Sequence, residues 1–122
     1  MYVRKLSVVL TTDASGDVTG YTPVFTGAVS QIRYVKDTYD NGVDFTVTVD
    51  GTGETVWAEN DVNASATRAP RQPTHSTAGV ASLFAAAGAA VNDLIAVSHD
   101  RLKIVIAQGG NVKAGTVHVL VV

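Results

Sequence analysis

The residues of this chain that could do chemistry are few, and their spacing does not concentrate it. Its three histidines, His75, His99 and His118, fall in a loop, a turn and a strand, without the close pairing of a helical zinc site. No metal is expected. With no cysteine in the sequence, thiolate ligands and disulfides are excluded, so the fold must hold by packing and strand pairing. Asp50, Thr52 and Glu54 alternate as calcium ligands do, but the full loop ending in a bidentate glutamate is missing. A glycine-bearing hairpin turn accounts for them. Gly16, Gly20, Gly51 and Gly53 form neither a dinucleotide fingerprint nor a phosphate-cradling loop, so no nucleotide cofactor is expected. No serine sits in a nucleophile elbow. The chain is therefore expected not to be an enzyme and to need no cofactor.

What stands out instead is a binding pattern. Arg68, Arg71 and His75 form a small basic patch interleaved with Pro70 and Pro73, and prolines stiffen an extended segment that can be laid on a partner. The sharper reading is a partner-docking arm. The plainer one is a solvated loop whose arginines keep it soluble. Trp57, just before this segment, reads as a core residue of a two-layer sandwich or as an interface anchor.

The elements that must position these residues are strands. Residues 3–10 alternate apolar and polar, and a turn follows at residues 13–17. Residues 18–25 contain Gly20 and Pro23, which suits a short or edge strand. Residues 28–36 are mixed on both faces, so their facing is left open. Asn41-Gly42 signals a turn, and residues 44–50 alternate strictly, with Phe45, Val47 and Val49 on one side. A turn at residues 50–53 leads to residues 54–59. Residues 60–78 carry one large aliphatic residue, Val62, together with Pro70 and Pro73, and read as one long loop.

Residues 80–90 are rich in alanine but interrupted by Gly88, compatible with a helix or with two short strands. Residues 91–97 and 102–106 alternate again, separated by a turn at His99-Asp100, and residues 116–122 are apolar on both faces except at Thr116 and His118. Such a strand is buried between layers or against a partner. About eight strands with turn signals between them predict an all-β fold, an antiparallel β-sandwich of jelly-roll type with one long loop.

Composition sets the remaining bounds. A chain of 122 residues and 12.7 kDa predicts a single domain spanning residues 1–122. Nine lysines and arginines against eleven acids give a net charge of -2, too little for a nucleic-acid binder. No apolar run is long enough to span a membrane, and residues 1–10 lack the apolar stretch and cleavage site of a signal peptide. Synthesis in the cytoplasm is expected.

The string VDFTVTVDGTGETVWAENDVNASATRAPRQPTH of residues 43–75, with RLKIVIAQGGNVKAGTVHVLVV of residues 101–122, resembles small virion proteins of tailed bacteriophages found among head-morphogenesis proteins. The resemblance is one of general pattern over nearly the whole chain. It implies a capsid decoration, or cement, protein on the outer surface of the head, made in the host cytoplasm. Its partners would be the major capsid protein and further copies of itself, a trimer ahead of a dimer. A tail, fibre or baseplate module is the nearest alternative. A carbohydrate-binding sandwich is another, and would need Trp57, Tyr21 or Tyr39 as an exposed aromatic platform.

Overall fold

The computed structural model describes residues 2–122, which form strands and turns with no helix among the described residues. Eleven strands follow one another: β1 Arg4–Thr11, β2 Val18–Tyr21, β3 Phe25–Lys36, β4 Asp44–Val49, β5 Thr55–Glu59, β6 Ala66–Arg68, β7 Gln72–Pro73, β8 Asn92–Asp93, β9 Ile95–Asp100, β10 Leu102–Ala107 and β11 Ala114–Val121.

The pairing is that of one long hairpin rolled up. β4 pairs with β5 across the turn at residues 50–53, β3 with β6, β2 with β10, and β1 with β11, each antiparallel. Rolling this ribbon brings β10 against β4 and β11 against β3, which gives two sheets in the orders β1-β11-β3-β6 and β2-β10-β4-β5. Eight strands nested in this way are a jelly roll, and the antiparallel β-sandwich expected from the sequence is what forms. β9 is an addition, pairing with the first half of β3 on the same edge as β6.

Alternation explains why these strands pack. Phe45, Val47 and Val49 of β4 face Leu102, Ile104 and Ile106 of β10 across the ladder, and all six are buried. Val117, Val119 and Val121 of β11 and Leu10, Val29, Ile32 and Tyr34 complete the opposing layer. Each such aliphatic side chain contributes about 1.5 to 3 kcal/mol by leaving water. The apolar C-terminal strand is accounted for here, because β11 lies between β1 and β3 in the middle of its sheet. β2 is an edge strand that ends before Pro23, whose missing N–H would have left a gap in a ladder.

The mixed facing of residues 28–36 has a physical cause. In the ladder with β11, Leu120 faces Gln31 while Val121 faces Val29, so Ser30 is an extra residue. This bulge flips the alternation, and both Val29 before it and Ile32 after it point into the core.

Two expectations change, at residues 60–78 and at His99-Asp100, and the alternative left open at residues 80–90 is decided. Residues 60–78 are not one continuous loop, because β6 pairs with residues 32–34 of β3 and β7 pairs with β8. Residues 80–90 form no helix. They belong to a small projection described below, and the turn expected at His99-Asp100 is the end of β9, where the chain crosses to the other sheet.

Candidate interaction surface

The sequence-predicted residues separate into three places. Trp57 of β5 is 7 % exposed, its ring stacked on Phe45 at 4.7 Å between centroids. Phe45 in turn meets Tyr34 edge-on at 4.7 Å. Trp57 is a core residue, and its indole N–H donates to Glu59 Oε1 at 3.0 Å.

Arg68 belongs to the fold. Its Nε donates to Glu59 Oε1 at 2.7 Å and its Nη2 to Oε2 at 2.8 Å, so the guanidinium grips the carboxylate with both arms. Glu59 ends β5 and Arg68 ends β6, so the pair ties an edge of one sheet to the edge of the other. The hydrogen bonds from Arg68 first, and from Trp57 second, hold the Glu59 carboxyl down at about 2. The same partner raises Arg68 above its ordinary value.

Arg71 is the pin of a projection. Its Nη1 donates to the carbonyls of Ser30 at 3.0 Å and Pro70 at 2.9 Å. Ser30 is the bulge residue of β3, lying between the stretch paired with β9 and the stretch paired with β6, and its carbonyl is the hook on which the chain leaves the sheet. The patch of Arg68, Arg71 and His75 is thus not assembled as one cationic surface. Arg68 is neutralised, Arg71 is bound to backbone, and Pro73 and His75 lie further out.

Beyond Arg71 the chain builds a finger over residues 72–92. Three backbone segments close on one another in a ring: Thr74 N–H donates to Val91 O at 2.8 Å, Val91 N–H to Ser82 O at 3.0 Å, and Ser82 N–H to Thr74 O at 3.0 Å. His75 bridges to Ala81 and Leu83 to Ala90. Ser76 N–H to Val80 O closes one tip and Phe84 N–H to Ala89 O the other. Ala85, Ala86 and Ala87 of the second tip form no helix because the stretch from Gly79 to Gly88 is too short to offset the cost of helix nucleation and has no core to pack against. No residue of the finger is buried, and none between Arg71 and Asp93 is an acid, a lysine or an arginine. Val80 is 65 %, Leu83 44 % and Phe84 76 % exposed. The finger was legible only as an uncharged, alanine-rich stretch. Its exposure was not.

Other chemical groupings are modest. His118 Nδ1 lies 2.7 Å from Ser7 Oγ on the outer face of the first sheet, but the residue on the other side of His118 in the ladder is Arg33, where a triad needs a carboxylate. Asp50 is paired with Arg101 Nε at 2.9 Å, and Asp100 accepts from Gly51 N–H at 3.0 Å, which fixes the hairpin turn to the β9 to β10 crossing. Among the described residues, no three histidines, aspartates or glutamates converge as metal ligands. An open groove of about 460 Å³ runs along the ends of β2 and β10, where Asp13 caps its own turn by accepting from Ser15 and Asp17 N–H. Of the three aromatic residues that a sugar-binding platform would use, Trp57 and Tyr39 are buried, and Tyr21 is exposed with the guanidinium of Arg101 at 3.8 Å from its ring centre.

No family model matches the chain, and no curated protein matches it. Among solved structures it is similar to one of infectious bursal disease virus, Gt strain, at 13 % identity and a TM-score of 0.41, over 98 % of this chain and 32 % of that one. A mutant VP2 protein of infectious bursal disease virus in derived T=1 particles is 14 % identical, with a TM-score of 0.23 over 97 % of this chain and 32 % of that one. The chain spans about a third of the length of these structures, and overlap this slight carries no conclusion about its role.

Proposed function

We propose that this chain is a non-catalytic structural component of a virion, and specifically a decoration protein. It sits on the outer surface of the head and stabilises the lattice of the major capsid protein. The observation that carries this reading is the uncharged finger standing off a jelly roll that is locked shut on itself. A cement protein needs a rigid body and an element that reaches beyond it, so that one molecule can engage several neighbours at once. Here the sandwich supplies the rigid body through its packed core and the Glu59 to Arg68 clamp. The finger supplies the reach, fixed in one shape by its own hydrogen bonds. The resemblance of residues 43–75 and 101–122 to small phage head proteins points the same way.

The test is to add the purified chain to heads lacking it and, separately, to free capsid subunits. The reading expects saturable binding to assembled heads, weak binding to subunits, and heads that resist a higher temperature once decorated. Heads that neither carry nor bind the chain would overturn it. Recovery with separated tails would move it to a tail, fibre or baseplate module.

A further inference from the structure

We infer that Asn41 is a latent deamidation site, its carboxamide primed by Lys36 and its attacker, the Gly42 nitrogen, held off by Asn63. Asn41-Gly42 is the turn signal between β3 and β4, and the fold uses it as a turn, with Gly42 at φ +90°. The dipeptide also has a chemistry that the turn does not absorb. Glycine carries no β-carbon, so its backbone nitrogen is the least hindered nucleophile that can follow an asparagine. In the step, the Gly42 nitrogen bonds to Asn41 Cγ while the Cγ–Nδ2 bond breaks. The proton lost from Gly42 leaves with Nδ2 as ammonia. Water then opens the cyclic imide at either carbonyl, leaving aspartate or isoaspartate at position 41.

Both reacting groups have partners. Lys36 Nζ donates to Asn41 Oδ1 at 2.8 Å and is fixed there by a second bond to the carbonyl of Asn63 at 2.9 Å. An ammonium at that oxygen draws charge off Cγ and stabilises the oxyanion that attack creates. The nucleophile is held the other way. Gly42 N–H donates to Asn63 Oδ1 at 2.6 Å, a bond that attack must forfeit because the attacking nitrogen gives up that proton. The fold places Asn63 in turn. Val62 N–H donates to the carbonyl of Val43 at 2.9 Å, both valines are buried, and Ser65 Oγ accepts from Lys36 N–H at 2.9 Å. The lock therefore opens when residues 60–65 part from residues 40–43. Asn41 is exposed, so water reaches it. Asn60, Asn63, Asn92 and Asn111 are each followed by a residue other than glycine, which makes them internal references.

The experiment incubates the parent chain, Asn63→Ala, and Asn63→Ala combined with Lys36→Met under one set of conditions. Peptide mass spectrometry places each change of carboxamide to carboxyl and separates isoaspartate from aspartate. Asn41 should convert roughly three- to tenfold faster in Asn63→Ala than in the parent, the factor that one hydrogen bond of ordinary net strength supplies. Adding Lys36→Met should take back most of that gain. The rates at Asn60, Asn92 and Asn111 should stay as they are in the parent. Should Asn63→Ala not fold, the parent in buffer is compared with the parent in urea, with Asn41 expected to convert about tenfold slower or more in the folded chain, where local opening must come first. An unchanged Asn41 rate in folded Asn63→Ala overturns the inference, as does an acceleration shared by the reference asparagines, or an equal rate in buffer and urea. A double variant as fast as Asn63→Ala overturns the part given to Lys36. Nothing in this chemistry depends on what the chain binds, so its failure and that of the decoration reading are separate.

Discussion

Arg68 and Glu59 meet end to end, both guanidinium contacts within 2.8 Å of the carboxylate, where the last strand of one sheet passes the last strand of the other. The edge they close is the one from which the finger departs only a few residues later. The indole of Trp57 donates to the same carboxylate, so the clamp also fixes the stack on Phe45.

Arg68→Ala should therefore destabilise the chain by about 1 kcal/mol, the upper end for a partly exposed pair, because the geometry is bidentate. Arg71→Ala should cost less than half of that, since it releases the root of the finger but leaves the sandwich intact. Urea midpoints of the two variants check the order. Equal losses would mean that the finger root matters to the fold as much as the clamp does.

The clamp also sets a pH dependence. The Glu59 carboxyl is held at about 2, below its ordinary value of 4.5, so its contribution is fully present above that ordinary value and is lost as pH falls toward 2. Stability of the parent chain should drop between pH 5 and pH 2 more steeply than that of Glu59→Gln, by about 1 kcal/mol once screening of a partly exposed pair is allowed for. Parallel curves for the two proteins over that range would show that the pair contributes nothing.

The alternation of β4 and β10, the hairpin at residues 50–53 and the edge position of β2 were all legible in the sequence, because each depends on residues a few positions apart. Arg68 was legible as a cation and not as a clamp. Its partner is nine residues away across a turn, and β6 is only three residues long, too short for periodicity to mark. The facing of β3 was hidden by the bulge at Ser30, which no local composition announces. The finger was hidden for a different reason, since alanine suits a helix and only the mutual pairing of its three segments decides otherwise.

Two buried tyrosines should respond in opposite ways. Among the described residues Tyr34 finds no partner for its hydroxyl, which burial pushes up to about 12. Tyr39 donates its hydroxyl to the carbonyl of Leu10 at 2.5 Å, and burial raises it further. Tyr34→Phe removes an unsatisfied group and should be neutral or stabilising by up to about 1 kcal/mol, whereas Tyr39→Phe removes a made hydrogen bond and should cost about 0.5 to 1.5 kcal/mol. Chemical denaturation of the two variants reads the contrast directly, and a loss at Tyr34 as large as that at Tyr39 would show that the Tyr34 hydroxyl is satisfied after all.

Two turn glycines separate backbone strain from steric conflict. Gly16 has φ +86°, and a β-carbon there would come within 2.9 Å of the Gly110 backbone nitrogen, because the turn after β1 packs on the turn before β11 and Gly109 N–H donates to Gly16 O. Gly53 has φ +78° but nothing within 4 Å of that position. Gly53→Ala should cost about 1 kcal/mol, the strain of a left-handed residue alone. Gly16→Ala carries the same strain and must also push two backbones apart, so it should cost about 2 to 3 kcal/mol and lower the melting temperature by roughly 5 to 12 °C for a chain of this size. Equal shifts in the two variants would mean that the two turns are not in contact in solution, and that β1 and β11 are held together by their ladder without help from the loops at that end.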